Sequence, residues 1–262
     1  MRIIKTLVAT VALTAITLAC VAQEEDEGPE MFTYATYFEC GGGPITAADD
    51  VIAEDYERLD GLVDDGSIAH WGWMAHHTGG KWQRIFYHQA ESLEALLDGS
   101  DAIQGDNDDD DEEAADDADA ADDADDDGPT FGSVCSQHDD YIWQVENGNG
   151  GDTRGEAGFS VYHVCDMSRE DRADEIVDEH VAPILNKMVE EGTLSSWGWS
   201  SHVVGGRFRR LQTMTAPDHK SLLAARGAAI TAIYDGDGEV GDEFSEICGP
   251  HVDYMWDILH EK

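Results

Sequence analysis

The chain has 262 residues, and its 57 acidic and 15 basic side chains give a formal net charge of −42. Such a charge excludes a nucleic-acid-binding surface, which needs clustered Lys and Arg, and disfavours adsorption to anionic lipid. Seven Trp, seven Phe and eight Tyr predict a folded chain, with room for one large or two small domains.

The chain begins with a segment typical of an export signal. Arg2 and Lys5 precede an apolar run that ends at Ala22, and acidic residues follow at once. This pattern predicts a cleaved signal over residues 1–22 rather than a retained membrane helix. Cleavage is expected either after Ala22 or before Cys20. The second alternative resembles a lipoprotein signal and would put a lipid on Cys20, which is the only membrane attachment that we expect.

The most informative feature of the sequence is an internal repeat. Residues 66–84 and 192–210 are identical at eight of nineteen positions, at a constant offset of 126. Flanking segments match as well, so the first copy is predicted over residues 31–145 and the second over 158–262. Repetition of this kind predicts two similar structural units in tandem. The identical pairs are Gly66/Gly192, Trp71/Trp197, Gly72/Gly198, Trp73/Trp199, His76/His202, Gly79/Gly205, Gly80/Gly206 and Arg84/Arg210.

Two segments interrupt the repeat. Residues 106–127 are almost entirely Asp, Glu and Ala, a composition that predicts a disordered insertion in the first copy. The Gly-rich residues 146–157 are predicted to form a flexible linker between the copies. The acidic excess outside the insertion is typical of a protein from a saline habitat, where salt screens the repulsion. Calcium binding is the alternative explanation.

Each copy alternates strand and helix signals. In the first copy, a β-prone run over 34–40 precedes a helix that is predicted to begin at Thr46, with Asp49 three residues later. A second helix is predicted over 90–103. The last block of the copy, residues 131–143, fits either a strand or a helix, and these alternatives stay open.

Paired glycines predict a hairpin in each copy. Residues 79–80 and 205–206 are both Gly-Gly, each between two alternating aromatic runs. Only glycine takes a positive φ at both turn positions at low cost. Pairing outward from the first turn places Trp73 opposite Phe86 and puts Arg84 on the same sheet face.

The second copy repeats these elements. A helix is predicted after Ser168, and Pro183 is expected to kink or delay it because proline has no backbone N–H. The next helix is predicted over 217–233. The last block, residues 244–256, is again compatible with a strand or a helix.

Strand, helix, hairpin, helix and closing strand form the βαββαβ unit. Two such units in tandem, each with a glycine-turned hairpin, resemble the dimeric α/β-barrel superfamily over nearly all of residues 31–256. The resemblance implies an α+β fold in which two tandem ferredoxin-like repeats pack sheet to sheet, as a pseudo-dimeric α/β barrel around a central cavity. The superfamily includes cofactor-independent monooxygenases, haem-binding and haem-degrading enzymes, and stress-responsive proteins.

Four of the five cysteines are matched between the copies. In an exported protein, an even and symmetric set predicts disulfides rather than buried free thiols or a zinc site. In the βαββαβ order the first and last strands are antiparallel neighbours, so the end of one meets the start of the other. This favours the pairs Cys40–Cys135 and Cys165–Cys248.

Six repeat-matched residues form the candidate ligand-binding set. On the aromatic sheet face, Arg84 and Arg210 could hold an anionic ligand, stack on a tryptophan or pair with a carboxylate. Asp140 and Asp253 are the expected carboxylates. The complete set is Arg84, Arg210, Trp73, Trp199, His76 and His202.

The remaining histidines carry weaker signals. His138 and His251 each precede an Asp by two residues, a spacing that shares one face of a strand and could serve a metal or a proton. Their recurrence in both copies favours a structural role instead. His163 or His180 could ligate a haem. A site unique to one half could lie at histidines that lack a counterpart in the repeat, among them His70, His77, His88, His163 and His180.

No phosphate loop, GxSxG or HExxH motif is present, so we assign no catalytic residue, metal ligand or cofactor. We expect an exported cell-envelope protein of a salt-adapted bacterium, periplasmic or lipid-anchored, and either monomeric or dimeric. Its expected role is to bind a small molecule in an aromatic, Arg-lined cavity between the repeats. The alternatives are an envelope protein whose cavity is filled by its tryptophans, and an oxygen-using or haem-related enzyme.

Overall fold

A computed structural model of the chain describes residues 30–41, 43–105, 130–151, 154–236 and 238–262. Three of the predicted features lie outside these residues. They are the export signal over 1–22, its Cys20, and the acidic insertion over 106–127.

The two halves of the chain contain strands and helices in the same order. The first half contains β1 (Met31–Glu39), α1 (Thr46–Glu54), α2 (Tyr56–Asp64), β2 (His70–Gly79), β3 (Arg84–Ala90), α3 (Leu93–Gln104), α4 (Phe131–Val134) and β4 (Gln137–Gly150). The second half contains β5 (Ala157–His163), α5 (Glu170–Ile176), a π-helical turn (Val177–Val181), α6 (Ala182–Glu190), β6 (Ser196–Val204), β7 (Arg210–Ala216), α7 (His219–Gly236), α8 (Gly238–Cys248) and β8 (His251–Glu261).

The strands close into one antiparallel barrel in the order β1-β3-β2-β8-β5-β7-β6-β4. Each half contributes four neighbouring strands, β4-β1-β3-β2 and β8-β5-β7-β6. The halves join through β2 with β8 and through β4 with β6, so neither sheet keeps a free edge. The expected α+β barrel is therefore confirmed.

The first hairpin has the expected register. Trp73 lies opposite Phe86, and Ala75 lies opposite Arg84. The side chains of Trp71 and Phe86 also meet on this face, with ring centroids 5.8 Å apart.

The glycine pairs differ from expectation in one respect. Only the first glycine of each pair has a positive φ, 134° at Gly79 and 140° at Gly205. A Cβ at Gly79 would lie 2.5 Å from the carbonyl oxygen of Asp253 on β8. Glycine is therefore required there both by the turn and by the close approach of the neighbouring strand.

The last block of each copy is a strand, which resolves the open alternative. Tyr254 and Trp256 on β8 point into the barrel, while Met255 between them packs in the cluster under the second-half helices. This alternation has the period of a strand. At the junction of the halves, β4 continues to Gly150, through the first five residues of the predicted linker.

The first predicted helix is two helices, α1 and α2, that meet at Asp55. Thr46 does not cap it, because the Pro44 carbonyl already accepts the Ala47 N–H at 2.9 Å and the helical turn begins earlier. In the second half, the π-helical turn lies just before Pro183. The wider turn accommodates the hydrogen bond that proline cannot donate.

Two disulfides, Cys40–Cys135 and Cys165–Cys248, confirm the expected pairing. Each joins the segment after the first strand of a half to the segment before its last strand. Disulfides of this kind are typical of proteins that fold in an oxidising compartment. Among the described residues, every helix is too short or too polar to span a bilayer.

Candidate ligand-binding site

The sheet face that carries Arg84 and Trp73 packs against helices on the outside of the barrel. Asp49 of α1 accepts two hydrogen bonds from the Arg84 guanidinium, both 2.6 Å long. The indole Nε1 of Trp73 donates to the same carboxylate at 2.8 Å. Arg84 is therefore held by a carboxylate, as the sequence allowed, but the partner is Asp49 and not Asp140.

The second half repeats this arrangement. Arg210 donates to Asp174 of α5 at 2.7 and 2.6 Å, and Trp199 donates to Asp174 at 2.8 Å. Glu170 adds a 3.2 Å contact to Arg210. Here too the partner differs from the expected Asp253. The arginines and tryptophans of the candidate set thus lie under the helices and do not line the barrel cavity.

His76 and His202 point toward the inside of the barrel, but toward its filled end. The ring of His76 lies 6.0 Å from that of Trp256, and His202 lies 6.1 Å from Trp143. Burial, and then the charge of a nearby arginine, lower the pKa of both imidazoles, with Arg84 beside His76 and Arg209 beside His202. Both rings therefore stay neutral to a lower pH than an ordinary histidine does.

One end of the barrel is closed by packed aromatic rings, which we call the aromatic plug. Its residues come from both halves and stack at short range, as Tyr37 does on Trp82 at 4.3 Å between centroids. The filled lumen expected under the structural alternative is present at this end only. The plug consists of Tyr37, Trp82, Tyr141, Trp143, Tyr162, Phe208, Tyr254 and Trp256.

Beyond the plug, the barrel contains a cavity of about 900 Å³. Seven of the eight strands contribute to its wall, and Tyr37, Trp143 and Tyr162 of the plug form part of it. The wall combines apolar side chains with hydroxyl and amide groups. Its other residues include Thr33, Ala35, Met74, Ile85, Tyr87, Gln89, Asn147, Arg154, Ser160, Ser200, Leu211 and Thr213.

The two halves fill the barrel differently at one matched position of the cavity wall. Tyr87 of β3 fills its side of the barrel between Ala35 and Gly72, and a Cβ at Gly72 would lie 2.4 Å from the Tyr87 ring. At the offset of 126, the second half has Thr213 beside Gly198. The smaller threonine leaves open the space that a tyrosine would occupy.

A polar group lies at one side of this cavity. The Tyr87 hydroxyl donates to Glu261 at 2.5 Å, and Arg154 lies 3.2 Å from Glu261 and 3.3 Å from the Tyr87 oxygen. Burial is the main cause that raises the pKa of Tyr87, so its hydroxyl stays protonated. Tyr87 and Arg154 also line a second cavity of about 380 Å³.

These three residues form a gradient from the interior to solvent. Tyr87 is buried, the Glu261 side chain is 13% exposed and that of Arg154 is 42% exposed. The group can therefore offer an anionic or hydrogen-bonding ligand a cation near water and a hydroxyl deeper in the wall. Sequence reasoning missed all three, since Arg154 lies in the predicted linker and Glu261 follows the last repeated block.

No His or Cys is among the described residues of the larger cavity. His163 is buried outside it, and its Nδ1 lies 2.9 Å from the Cys248 carbonyl oxygen. Burial lowers the pKa of His163 to about 4. His180 is half-exposed on the π-helical turn. Neither of the histidines considered for haem lines the cavity.

The expected His–Asp pairs do share a strand face. His138 Nε2 lies 3.2 Å from Asp140, and His251 Nε2 lies 3.7 Å from Asp253. All four side chains are 38–51% exposed. They form surface pairs in both halves.

No protein-family model and no curated protein sequence matches the chain. Solved structures do match it. A provisionally assigned monooxygenase from Lactobacillus acidophilus NCFM aligns over 89% of this chain and 96% of its own, with a TM-score of 0.60 and 7% identity. A second provisionally assigned monooxygenase, from Fusobacterium nucleatum, aligns over 90% of this chain and 95% of its own, with a TM-score of 0.60 and 9% identity.

An anthrone oxidase-like protein aligns over 90% of this chain and 94% of its own, with a TM-score of 0.50 and 12% identity. At such identities the likeness concerns the fold alone. The resemblance to the dimeric α/β-barrel superfamily is confirmed at that level.

Proposed function

We propose that this protein binds a small molecule inside a barrel built from two tandem ferredoxin-like repeats. The observation that carries this proposal is the cavity of about 900 Å³ next to the aromatic plug. Cavities of this size are in the range of small-molecule sites, which are mostly apolar with a few placed polar groups. An envelope protein without a ligand would gain stability by filling this space, as the plug does at the other end.

We propose an exported location, periplasmic or lipid-anchored through Cys20, in a salt-adapted bacterium. The basic and apolar start of the chain supports export, and the two disulfides agree with an oxidising compartment. The acidic composition supports a saline habitat. The repeats would extend over 31–145 and 158–262 around the acidic insertion and the connecting segment.

The wall of the cavity indicates the class of ligand. Leu211, Ile85 and Met74 offer apolar contact, and the rings of the plug favour a flat molecule. Arg154 at the solvent side favours an anionic or carbonyl group at one end of the ligand. The proposed ligand is therefore a planar, largely apolar molecule of two or three rings with one acidic or carbonyl group.

Binding can be tested with N-phenyl-1-naphthylamine, a neutral apolar probe whose fluorescence increases when it leaves water. We expect the wild-type chain to bind it at one saturable site. Leu211→Trp puts a larger side chain into the cavity and should weaken binding at least about tenfold. Val204→Trp is the matched control, because Val204 is 57% exposed on the neighbouring strand.

Equal binding by the two variants would contradict the proposal. Thermal unfolding of each variant is measured alongside, because overpacking itself costs about 1–3 kcal/mol. If a variant unfolds cooperatively but no longer binds the probe, the substitution has blocked the binding site and has not unfolded the protein.

A second candidate function is oxygenation of the bound molecule without a cofactor. The observation that favours it is Glu261, a poorly exposed carboxylate beside a cavity-lining hydroxyl, since such a group can take a proton from an acidic C–H or O–H. Anthrone is the test substrate, because one similar structure is named anthrone oxidase-like. Anthrone and O₂ would give anthraquinone and water. The reaction is measured as oxygen uptake and as the increase in quinone absorbance. Glu261→Gln should abolish that rate and leave binding of the neutral probe unchanged.

A further inference from the structure

Outside the barrel cavity, two histidines and an aspartate from three separate elements meet on the surface. His77 Nδ1 lies 3.3 Å from Asp257 Oδ1, and His219 Nε2 lies 2.6 Å from the same oxygen. The two imidazole rings stack with centroids 3.7 Å apart. All three potential ligand atoms lie within 4.8 Å of one another.

The backbone presents each of these side chains for a local reason. His77 is the extra residue of a β-bulge, because His76 pairs with Trp256 while Thr78 pairs with Met255. Bulges re-aim side chains and are frequent beside functional sites. His219 is the first residue of α7, and Asp257 lies on β8.

The other half of the molecule lacks this group. At the repeat offsets of 126 and 113, His77 corresponds to Val203, His219 to Leu93 and Asp257 to Gln144. The bulge itself is present in both halves, since Ile142 pairs with Val204 while Trp143 pairs with His202. The shared architecture therefore does not require these ligand-type side chains, and all three occur together in one half only.

We propose that His77, His219 and Asp257 form a binding site for a divalent transition-metal ion such as Zn²⁺ or Co²⁺. Two imidazoles and a carboxylate suit these ions, while Mg²⁺ and Ca²⁺ prefer oxygen ligands. Ligands at about 2.0–2.2 Å from a tetrahedral ion lie about 3.3–3.6 Å apart. The His77–Asp257 distance already matches, and the His219–Asp257 contact needs to open by less than about 1 Å.

Three protein ligands leave coordination positions for water or a further ligand. The side chains of His77 and Asp257 are 44% and 43% exposed, so solvent reaches the site. Sites with open positions are typical of ions that bind or activate another molecule, whereas structural zinc sites use four protein ligands. The site is separate from the cavity, and none of its residues lines the cavity wall.

The test is a titration of the full chain with Co²⁺ after chelator treatment, in 1 M NaCl with excess Mg²⁺. These conditions suppress nonspecific binding to a chain with a net charge of −42. We expect one Co²⁺ per chain, a visible absorption band and displacement by Zn²⁺. His77→Val and His219→Leu, which introduce the residues of the other half, should each weaken binding at least about tenfold.

His138→Val is the control, because His138 is an exposed histidine that pairs with one aspartate, Asp140, in the described part of the chain. It should bind Co²⁺ like the wild type. Unfolding temperatures without metal show whether His77→Val and His219→Leu are folded, and the titration is read from folded variants. The proposal is overturned if the wild type shows no visible band, or if the His77→Val/His219→Leu double variant binds Co²⁺ as tightly as the wild type. Probe binding in the barrel is measured separately, so the two proposals can fail independently.

Discussion

The indole of Trp73 and the carboxylate of Asp49 form a 2.8 Å hydrogen bond under the first-half helices, and Arg84 binds the same carboxylate. Trp199 and Asp174 repeat this contact in the second half. The repetition, together with the distance of these groups from the barrel cavity, indicates that they attach the helices to the outer face of the barrel.

Arg84→Met should therefore destabilise the protein without affecting probe binding. Removal of one partner of a buried pair leaves a desolvated charge, which costs about 3 kcal/mol. Urea unfolding measures the loss. Lys187→Met removes an exposed pair with Glu191 and should cost no more than about 0.5 kcal/mol. If a folded Arg84→Met protein does not bind the probe, Arg84 takes part in ligand binding and this assignment is wrong.

The hairpin glycine gives a second prediction. Gly79→Ala should lower the free energy of unfolding by at least about 2 kcal/mol, because its φ is 134° and its new Cβ would lie 2.5 Å from a carbonyl oxygen. Gly61→Ala is the control, since Gly61 is helical and nothing lies within 4 Å of its Cβ position. It should stabilise the protein by about 0.5–1 kcal/mol. Similar effects of the two substitutions would be evidence against this hairpin geometry.

His163 predicts a dependence of stability on pH. Its pKa is about 4 in the folded state and 6.5 when unfolded, so above pH 6.5 both states are neutral and the group has no effect. Below pH 6.5 the unfolded state binds the proton first, and the folded state loses stability until the pH reaches about 4. At pH 4.5 this loss is about 2.5 kcal/mol relative to pH 7.5.

His163→Gln should remove that part of the pH dependence, measured as the difference in unfolding free energy between pH 7.5 and 4.5. His180→Gln, which replaces a half-exposed histidine of the π-helical turn, is the control and should keep the wild-type difference. If His163→Gln and the wild type lose the same unfolding free energy between pH 7.5 and 4.5, the folded state protonates His163 as readily as the unfolded state does.

Arg154 should set the preference of the cavity for charge. Arg154→Gln is expected to weaken binding of 1-anilinonaphthalene-8-sulfonate, an anionic probe, by about tenfold and to leave binding of the neutral N-phenyl-1-naphthylamine unchanged. The measurement is a pair of fluorescence titrations at low and high salt. Arg226→Gln is the control, because Arg226 pairs with Asp253 outside the cavity. An equal loss for both probes would mean that Arg154 shapes the site rather than recognising charge.

Much of the fold could be predicted from the repeat. The matched Gly-Gly pairs gave the hairpin register, and the matched cysteines gave both disulfides, because local turn chemistry and strand order decide these features. The side of the sheet that faces the helices could not be predicted. Trp73 and Arg84 alternate with Met74 and Ile85, so both faces carry apolar side chains, and only the packing of the helices shows which face is outside.

The site itself depends on differences between the halves rather than on their similarity. Thr213 takes the position of Tyr87 in the cavity wall and leaves more room there, and this mismatch was visible in the sequence. The contact of Arg154 with Glu261 could not be predicted from the sequence. Arg154 lies between the repeats and Glu261 ends the last strand, and these segments meet only when the barrel closes.

The central claim is that the barrel cavity is a ligand site, and a crystal structure of the chain with N-phenyl-1-naphthylamine tests it most directly. We expect one probe molecule among Met74, Tyr87 and Leu211, with its rings against the aromatic plug. Probe density confined to the outer surface, for example along the exposed apolar residues Leu223, Ile230 and Tyr234 of α7, would contradict the claim.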